Sequence, residues 1–141
     1  MTDYSELEKS RRIRPGKFSN KQIFDCLALS KRDLQIAEKI LKENQDWSFN
    51  IAYNAMLQAS KALMYSKGFR PTGIGLHATI IEFAGIVLGD KYTEIIEVLD
   101  TMRRKRNTAI YDIAGLISSK EATEAIKTAK YLVKEIIKIL D

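Results

Sequence analysis

Ser118-Ser119-Lys120-Glu121-Ala122-Thr123-Glu124-Ala125-Ile126-Lys127-Thr128-Ala129-Lys130-Tyr131-Leu132-Val133-Lys134-Glu135-Ile136-Ile137-Lys138-Ile139-Leu140 is the stretch whose reading decides the fold. Its apolar positions 122, 125, 126, 129, 132, 133, 136, 137 and 140 recur at steps of three and four, the spacing of one face of an α-helix. Ser118 with Glu121 three residues on is a capping-box pattern, in which each side chain satisfies a backbone amide of the other. A helix with so continuous an apolar stripe needs other helices to cover it.

Working towards the N-terminus, the chain supplies them. Asp90 can cap a helix whose stripe is Ile95, Leu99, Met102, position 106, Ala109 and Ile113, ending at Gly115. A shorter helix is predicted over Leu76 to Leu88, before Gly89. The loop Phe69-Arg70-Pro71-Thr72-Gly73-Ile74-Gly75 contains a proline and two glycines and cannot readily continue a helix. Before it, a helix from about Asp46–Ser48 to Gly68 carries Ala52, Ala55, Ala59 and Ala62, an alanine seam that lets neighbouring helices approach closely and marks this helix as central. A first helix starts at Ser19-Asn20 and carries Ile23, Leu27, Leu34, Ala37, Ile40 and Leu41 to an end near Asn44-Gln45-Asp46. Trp47, beside that turn, is expected to be a packing anchor, and Cys26 a small core residue.

No segment sustains the alternation of a strand, and no Asn-Gly or Asp-Gly turn joins apolar runs. The expected fold is all-α, an up-and-down antiparallel bundle of four to five helices over residues 19–141. Residues 1–18, with the basic run Arg11-Arg12-Ile13-Arg14 and the turn signal Pro15-Gly16, are expected to form a flexible basic arm.

Composition bounds what such a bundle can do. The 141 residues fit one core, with 45% hydrophobic and 29% charged residues and only 7 Gly and 2 Pro, which excludes wholesale disorder. A net charge of +5 and a pI near 9.3 make anionic partners, RNA or nucleotide, plausible. One cysteine excludes an internal disulfide. The start lacks the order of a signal peptide, and no run approaches the roughly 20 apolar residues of a membrane span. A cytoplasmic location and no membrane association are expected.

Position 106 breaks the helical pattern, because Arg106 falls in phase with an apolar stripe and a guanidinium is costly to bury unpaired. Two solutions are open. A carboxylate such as Asp25, Asp33 or Glu82 pairs with it, or it faces a cleft that an anion can reach. Arg103, Arg104 and Lys105 add three cations within a turn, and Asn107 and Tyr111 lie three or four positions from 103 and 107 on one face. Arginine can fork onto phosphate, and asparagine and tyrosine can hydrogen-bond a base or ribose. A charge run on a helix also suits a solvated face, as do the carboxylates Glu94 and Glu97, or Glu121 and Glu124.

His77 is the only histidine, so no histidine pair can form a metal site or an acid–base couple within one chain. It reads either as a cap or packing group at the start of its helix or as an added donor to an anion. The phosphate-binding glycine loops, His-Glu-x-x-His and Gly-x-Ser-x-Gly are missing. Neither a metal nor a cofactor is expected.

The segments Ala52-Tyr53-Asn54-Ala55-Met56-Leu57-Gln58-Ala59-Ser60-Lys61-Ala62-Leu63-Met64-Tyr65-Ser66-Lys67-Gly68, Gly75-Leu76-His77 and Arg106-Asn107-Thr108-Ala109-Ile110-Tyr111, in this order, resemble the HEPN superfamily, in particular its small stand-alone prokaryotic members. The resemblance spans about Ser30 to Leu140. It implies a helical bundle that commonly dimerises. Many members are metal-independent ribonucleases in toxin–antitoxin pairs with a small nucleotidyltransferase, and others are non-catalytic RNA- or nucleotide-binding partners. The family's motif is an arginine, often followed by asparagine, with a histidine four to six residues on. Arg106 and Asn107 match its beginning, but Tyr111 stands after four intervening residues and Asp112 after five. A tyrosine with a reference pKa of about 10 is poorly matched to the work of a base near neutrality.

The resemblance therefore implies a homodimer that binds RNA or nucleotide, or a small nucleotidyltransferase, through Arg106 and Asn107 with Tyr111. Arg103, Arg104, Lys105 and His77 contribute to binding, and the catalytic motif is degenerate. An active endoribonuclease using Arg106 with Tyr111 or His77, and a structural adaptor, are the alternatives. The alanine-rich face of the central helix, with the Arg106 face, is the expected dimer surface.

Overall fold

The computed structural model describes residues 4–141, apart from the side chains of Ile110 and Tyr111. Its helices are α1 (Ser5–Lys9), α2 (Asn20–Ile40), α3 (Gln45–Ser66), α4 (Leu76–Leu88), α5 (Thr93–Asn107) and α6 (Ser119–Leu140). The strands β1 (Ile13–Pro15) and β2 (Phe69–Pro71) form a short antiparallel ladder in which Ile13 faces Pro71. The five helices expected from the sequence are α2 to α6, packed antiparallel as an all-α bundle.

Helix α6 forms as its pattern demands. Ser118 Oγ accepts from the Glu121 amide at 3.0 Å, and the Glu121 carboxylate accepts from the Ser118 amide at 3.2 Å. Its stripe is buried from Ala122 to Ile136, and full burial of Leu132 or Ile136 contributes roughly 1.5–3 kcal/mol each. The stripe lies on α3, which also packs against α2, α4 and α5 and so occupies the centre. Ala52, Ala55, Ala59 and Ala62 are all 0% exposed, so the seam is used up within the chain and is not the free dimer surface that the sequence suggested.

Residues 4–18 are docked onto the bundle, in contrast to the loose arm expected. The composition of this segment is polar, but Leu7 and Ile13 are 2% and 3% exposed. Tyr4 stacks on Phe83 with ring centroids 4.6 Å apart, and Arg12 pairs with Glu82 at 2.6 Å. Two isolated apolar residues and two aromatics at the segment's ends leave too weak a periodicity to read. Trp47 is likewise 48% exposed, and its neighbour Phe49, at 5%, is the packing anchor.

Helix α5 differs at both ends from the expected Asp90–Gly115 helix. A 3-10 turn over Asp90–Tyr92 precedes it, and after Asn107 the chain passes through one π turn, Thr108–Asp112, before Ile113 extends. The β-branched Thr108 and Ile113 flank this wider turn, closed by the Ile113 amide donating to the Thr108 carbonyl at 2.9 Å. Asp46 at the start of α3 then accepts from the Gly115 amide at 2.6 Å and the Ile117 amide at 3.0 Å, fixing where α5 ends relative to α3. Among the described residues no helix is long and apolar enough to cross a membrane.

Candidate functional site

Arg106 lies on the stripe that its phase predicts, with Leu99 and Met102 buried before it and Ala109 after it. Its side chain is half-buried against α3. Nε donates to Asn50 Oδ1 at 2.6 Å, and the guanidinium carbon lies 5.6 Å from the centroid of the Tyr53 ring, a cation–π distance. None of the proposed carboxylates pairs with it. Asp25 is taken by Lys21 at 2.9 Å, Asp33 by Arg32 at 2.9 Å and by Asn54, and Glu82 by Arg12. Among the described residues Arg106 makes no ion pair.

The flanking cations are spoken for. Arg103 and Arg104 converge on Asp100 at 2.9 Å and 2.5 Å, and Lys105 pairs with Glu121. The Arg103 hydrogen bond, above all, holds the Asp100 carboxyl below its ordinary range. Asn107 is exposed at the last position of α5. Tyr111 lies in the π turn, and its side chain is outside the described residues.

His77, at the second position of α4, comes to the same place from another direction. Its Nδ1 lies 3.0 Å from the hydroxyl of Tyr53, which is fully buried in α3 beneath it. Burial pushes the Tyr53 hydroxyl up to about 12, although Arg106 and Arg103 oppose the rise. That hydroxyl keeps its proton, and among the described residues its one hydrogen-bond partner is His77. The arrangement that uses the proton has it donated to Nδ1, which leaves the ring's own proton on Nε2. Desolvation first, then Arg106 and Arg103, depress the His77 pKa below its ordinary value. At neutral pH this favours the uncharged ring, which with Tyr53 donating to Nδ1 is an Nε2–H donor.

Of the residues read from the sequence, the fold thus joins Arg103, Arg106 and His77 around Tyr53, while Arg104 and Lys105 are tied by their own ion pairs. Asn50 and Tyr53 were not anticipated as site residues. A polar group three positions before a tyrosine, both on the helix identified as central, was the available signal, since a buried tyrosine hydroxyl requires a partner. Among the described residues no group of three or more His, Cys, Asp or Glu side chains is placed to hold a metal ion.

Fold and site together define an all-helical domain protein in which a half-buried arginine on one helix meets a neutral histidine on the next across a tyrosine. Residues 25–140 match the HEPN domain, and the chain belongs to that family. The crystal structure of TT1696 from Thermus thermophilus is similar over 82% of this chain and 96% of that one, with a TM-score of 0.64 and 20% sequence identity, a likeness of fold. No curated protein matches the chain.

Proposed function

We propose that this HEPN protein binds RNA or a nucleotide through Arg106, with His77 Nε2–H as a second donor to phosphate, and that it does so without cleaving it. The observation that carries this reading is a guanidinium whose one hydrogen-bond partner among the described residues is the neutral Asn50. Uncompensated charge held at a partly desolvated surface attracts phosphate, and arginine can fork onto it. Arg103 can join by exchanging Asp100 for phosphate. Asn107 is the exposed polar neighbour, and Tyr111 belongs to the proposed site through the motif.

Proton placement supports the non-catalytic reading. Removal of a 2′-hydroxyl proton needs an unprotonated acceptor. With Tyr53 donating to Nδ1, the exposed nitrogen of His77 offers a proton instead of taking one. Its position beside Arg106 also supports the alternative of a metal-independent endoribonuclease, in which the ring turns or changes tautomer. Incubating purified protein with total RNA in EDTA separates the two. Binding without cleavage is expected, and robust cleavage abolished by Arg106→Ala would reject the non-catalytic reading.

A small nucleotidyltransferase partner in a toxin–antitoxin-like pair, and a homodimer, belong to the same proposal. The support for association is apolar surface along α5 and α6: Val98 and Tyr131, 41% and 47% exposed, line one groove, and Val98 lines a second with Phe49 and Met102. Sedimentation at micromolar concentration is expected to give a dimer, and a monomer there would remove this part of the proposal. Co-purification with the product of an adjacent nucleotidyltransferase gene tests the pairing.

A further inference from the structure

A cleft of about 430 Å³ opens between α2, α3, the start of α4 and β2, with His77 in its lining. Two full cations, Lys61 and Arg70, line it, and no Asp or Glu does. Among the described residues neither cation makes an ion pair. Both are instead steadied by rings. Phe18 and Tyr65 lie face to face, with centroids 4.0 Å apart and planes within 6°. The Arg70 guanidinium sits 5.3 Å from the Phe18 centroid and the Lys61 ammonium 5.5 Å from that of Tyr65. Cation–π contact orients a charge without neutralising it.

The backbone accommodates this stack closely. A Cβ on Gly16 would come within 2.9 Å of the Phe18 ring and 3.2 Å of Arg70 Nε, so only glycine leaves both where they lie. Deeper in, the Gln58 side-chain oxygen is buried with no hydrogen-bond partner. A half-turn of that amide presents either a donor or an acceptor. Leu57, Leu76 and Ile80 supply an apolar wall.

We propose that this cleft binds a small organic phosphate monoester, its phosphate between Lys61 and Arg70 and its body against Leu57, Leu76 and Ile80. Charge selects this class. A phosphate monoester carries about −1.5 to −2 at pH 7, matching two cations, whereas a carboxylate or a backbone phosphodiester carries a single charge. The apolar wall favours an ester over the inorganic ion, and the volume suits a small ligand. Arg106 does not line the cleft, although His77 borders both.

Isothermal titration calorimetry on the full chain with phenyl phosphate, AMP, inorganic phosphate and benzoate tests it. Phenyl phosphate and AMP are expected to bind saturably, and inorganic phosphate and benzoate at least about tenfold more weakly. Lys61→Gln and Arg70→Gln should each weaken the esters by about tenfold or more. Lys61 is part-exposed, so Lys61→Gln keeps the fold and remains informative if Arg70→Gln does not. The Gln58 side-chain amide should shift in NMR spectra on adding AMP. Failure of either ester to saturate by about 10 mM, wild-type affinity in Lys61→Gln, or equal binding of benzoate would each overturn the assignment. RNA binding lost in Arg106→Ala but kept in Lys61→Gln tells failure of this site from failure of the Arg106 reading.

Discussion

A single hydrogen bond, from Arg106 Nε to Asn50 Oδ1 at 2.6 Å, ties the arginine stem to α3, and among the described residues the two terminal nitrogens have no hydrogen-bond partner. The contact positions the fork without occupying it. Arg106→Lys keeps the charge but cannot fork, and a charge-assisted hydrogen bond is worth about 1.5–3 kcal/mol. RNA affinity, read by fluorescence anisotropy, is therefore expected to fall by roughly tenfold or more, while the melting temperature changes little. A sharp fall in melting temperature with unchanged RNA binding would make Arg106 a structural tie.

The same arginine lowers the His77 pKa through space. In Arg106→Gln that influence is gone and the pKa should rise towards its ordinary value of 6.5, desolvation and Arg103 still holding it below. An NMR titration of the single imidazole measures this directly. An unmoved titration curve would mean that guanidinium and ring do not sense each other.

His77 also gives stability a pH dependence of known sign. Its folded-state pKa is lower than its unfolded value, so between the two the unfolded chain binds more protons and stability rises with pH. The contribution is complete above about 6.5 and is lost as pH falls from there to the depressed folded value. Denaturant midpoints measured across this window should fall on acidification, and His77→Gln should flatten the slope. A variant with the wild-type slope would assign the effect elsewhere.

Leu7 tests the docked N-terminal segment. At 2% exposure its truncation in Leu7→Ala removes buried methyl groups and is expected to destabilise by about 2–5 kcal/mol. A shift in the urea midpoint near zero would show that the segment detaches without cost to the bundle.

Much of the bundle was legible because it rests on local rules. The Ser118–Glu121 cap, the stripe of α6 and the break at Gly89 each report on neighbours a few residues away. Phase alone placed Arg106 against the core. The identity of its partner was not legible, because Asn50 is 56 positions earlier and nothing in the sequence ranks it above Asp25, Asp33 or Glu82. The docking of Leu7 and Ile13 was hidden for the same reason, since their cover comes from distant elements. The π turn after Asn107 escaped because Ala109 and Ile113 continue the apolar rhythm through it.

The ladder between Ile13–Pro15 and Phe69–Pro71 has a consequence for how the chain acquires its shape. Ribosomes release a polypeptide from its amino end, so the first strand emerges with nothing to zip onto until more than fifty further residues have followed. Nearby helices such as α2 and α3 can associate in the meantime, since short loops close quickly. The oldest part of the nascent chain thereby waits on a strand made far later, and any truncation before residue 69 strands it permanently.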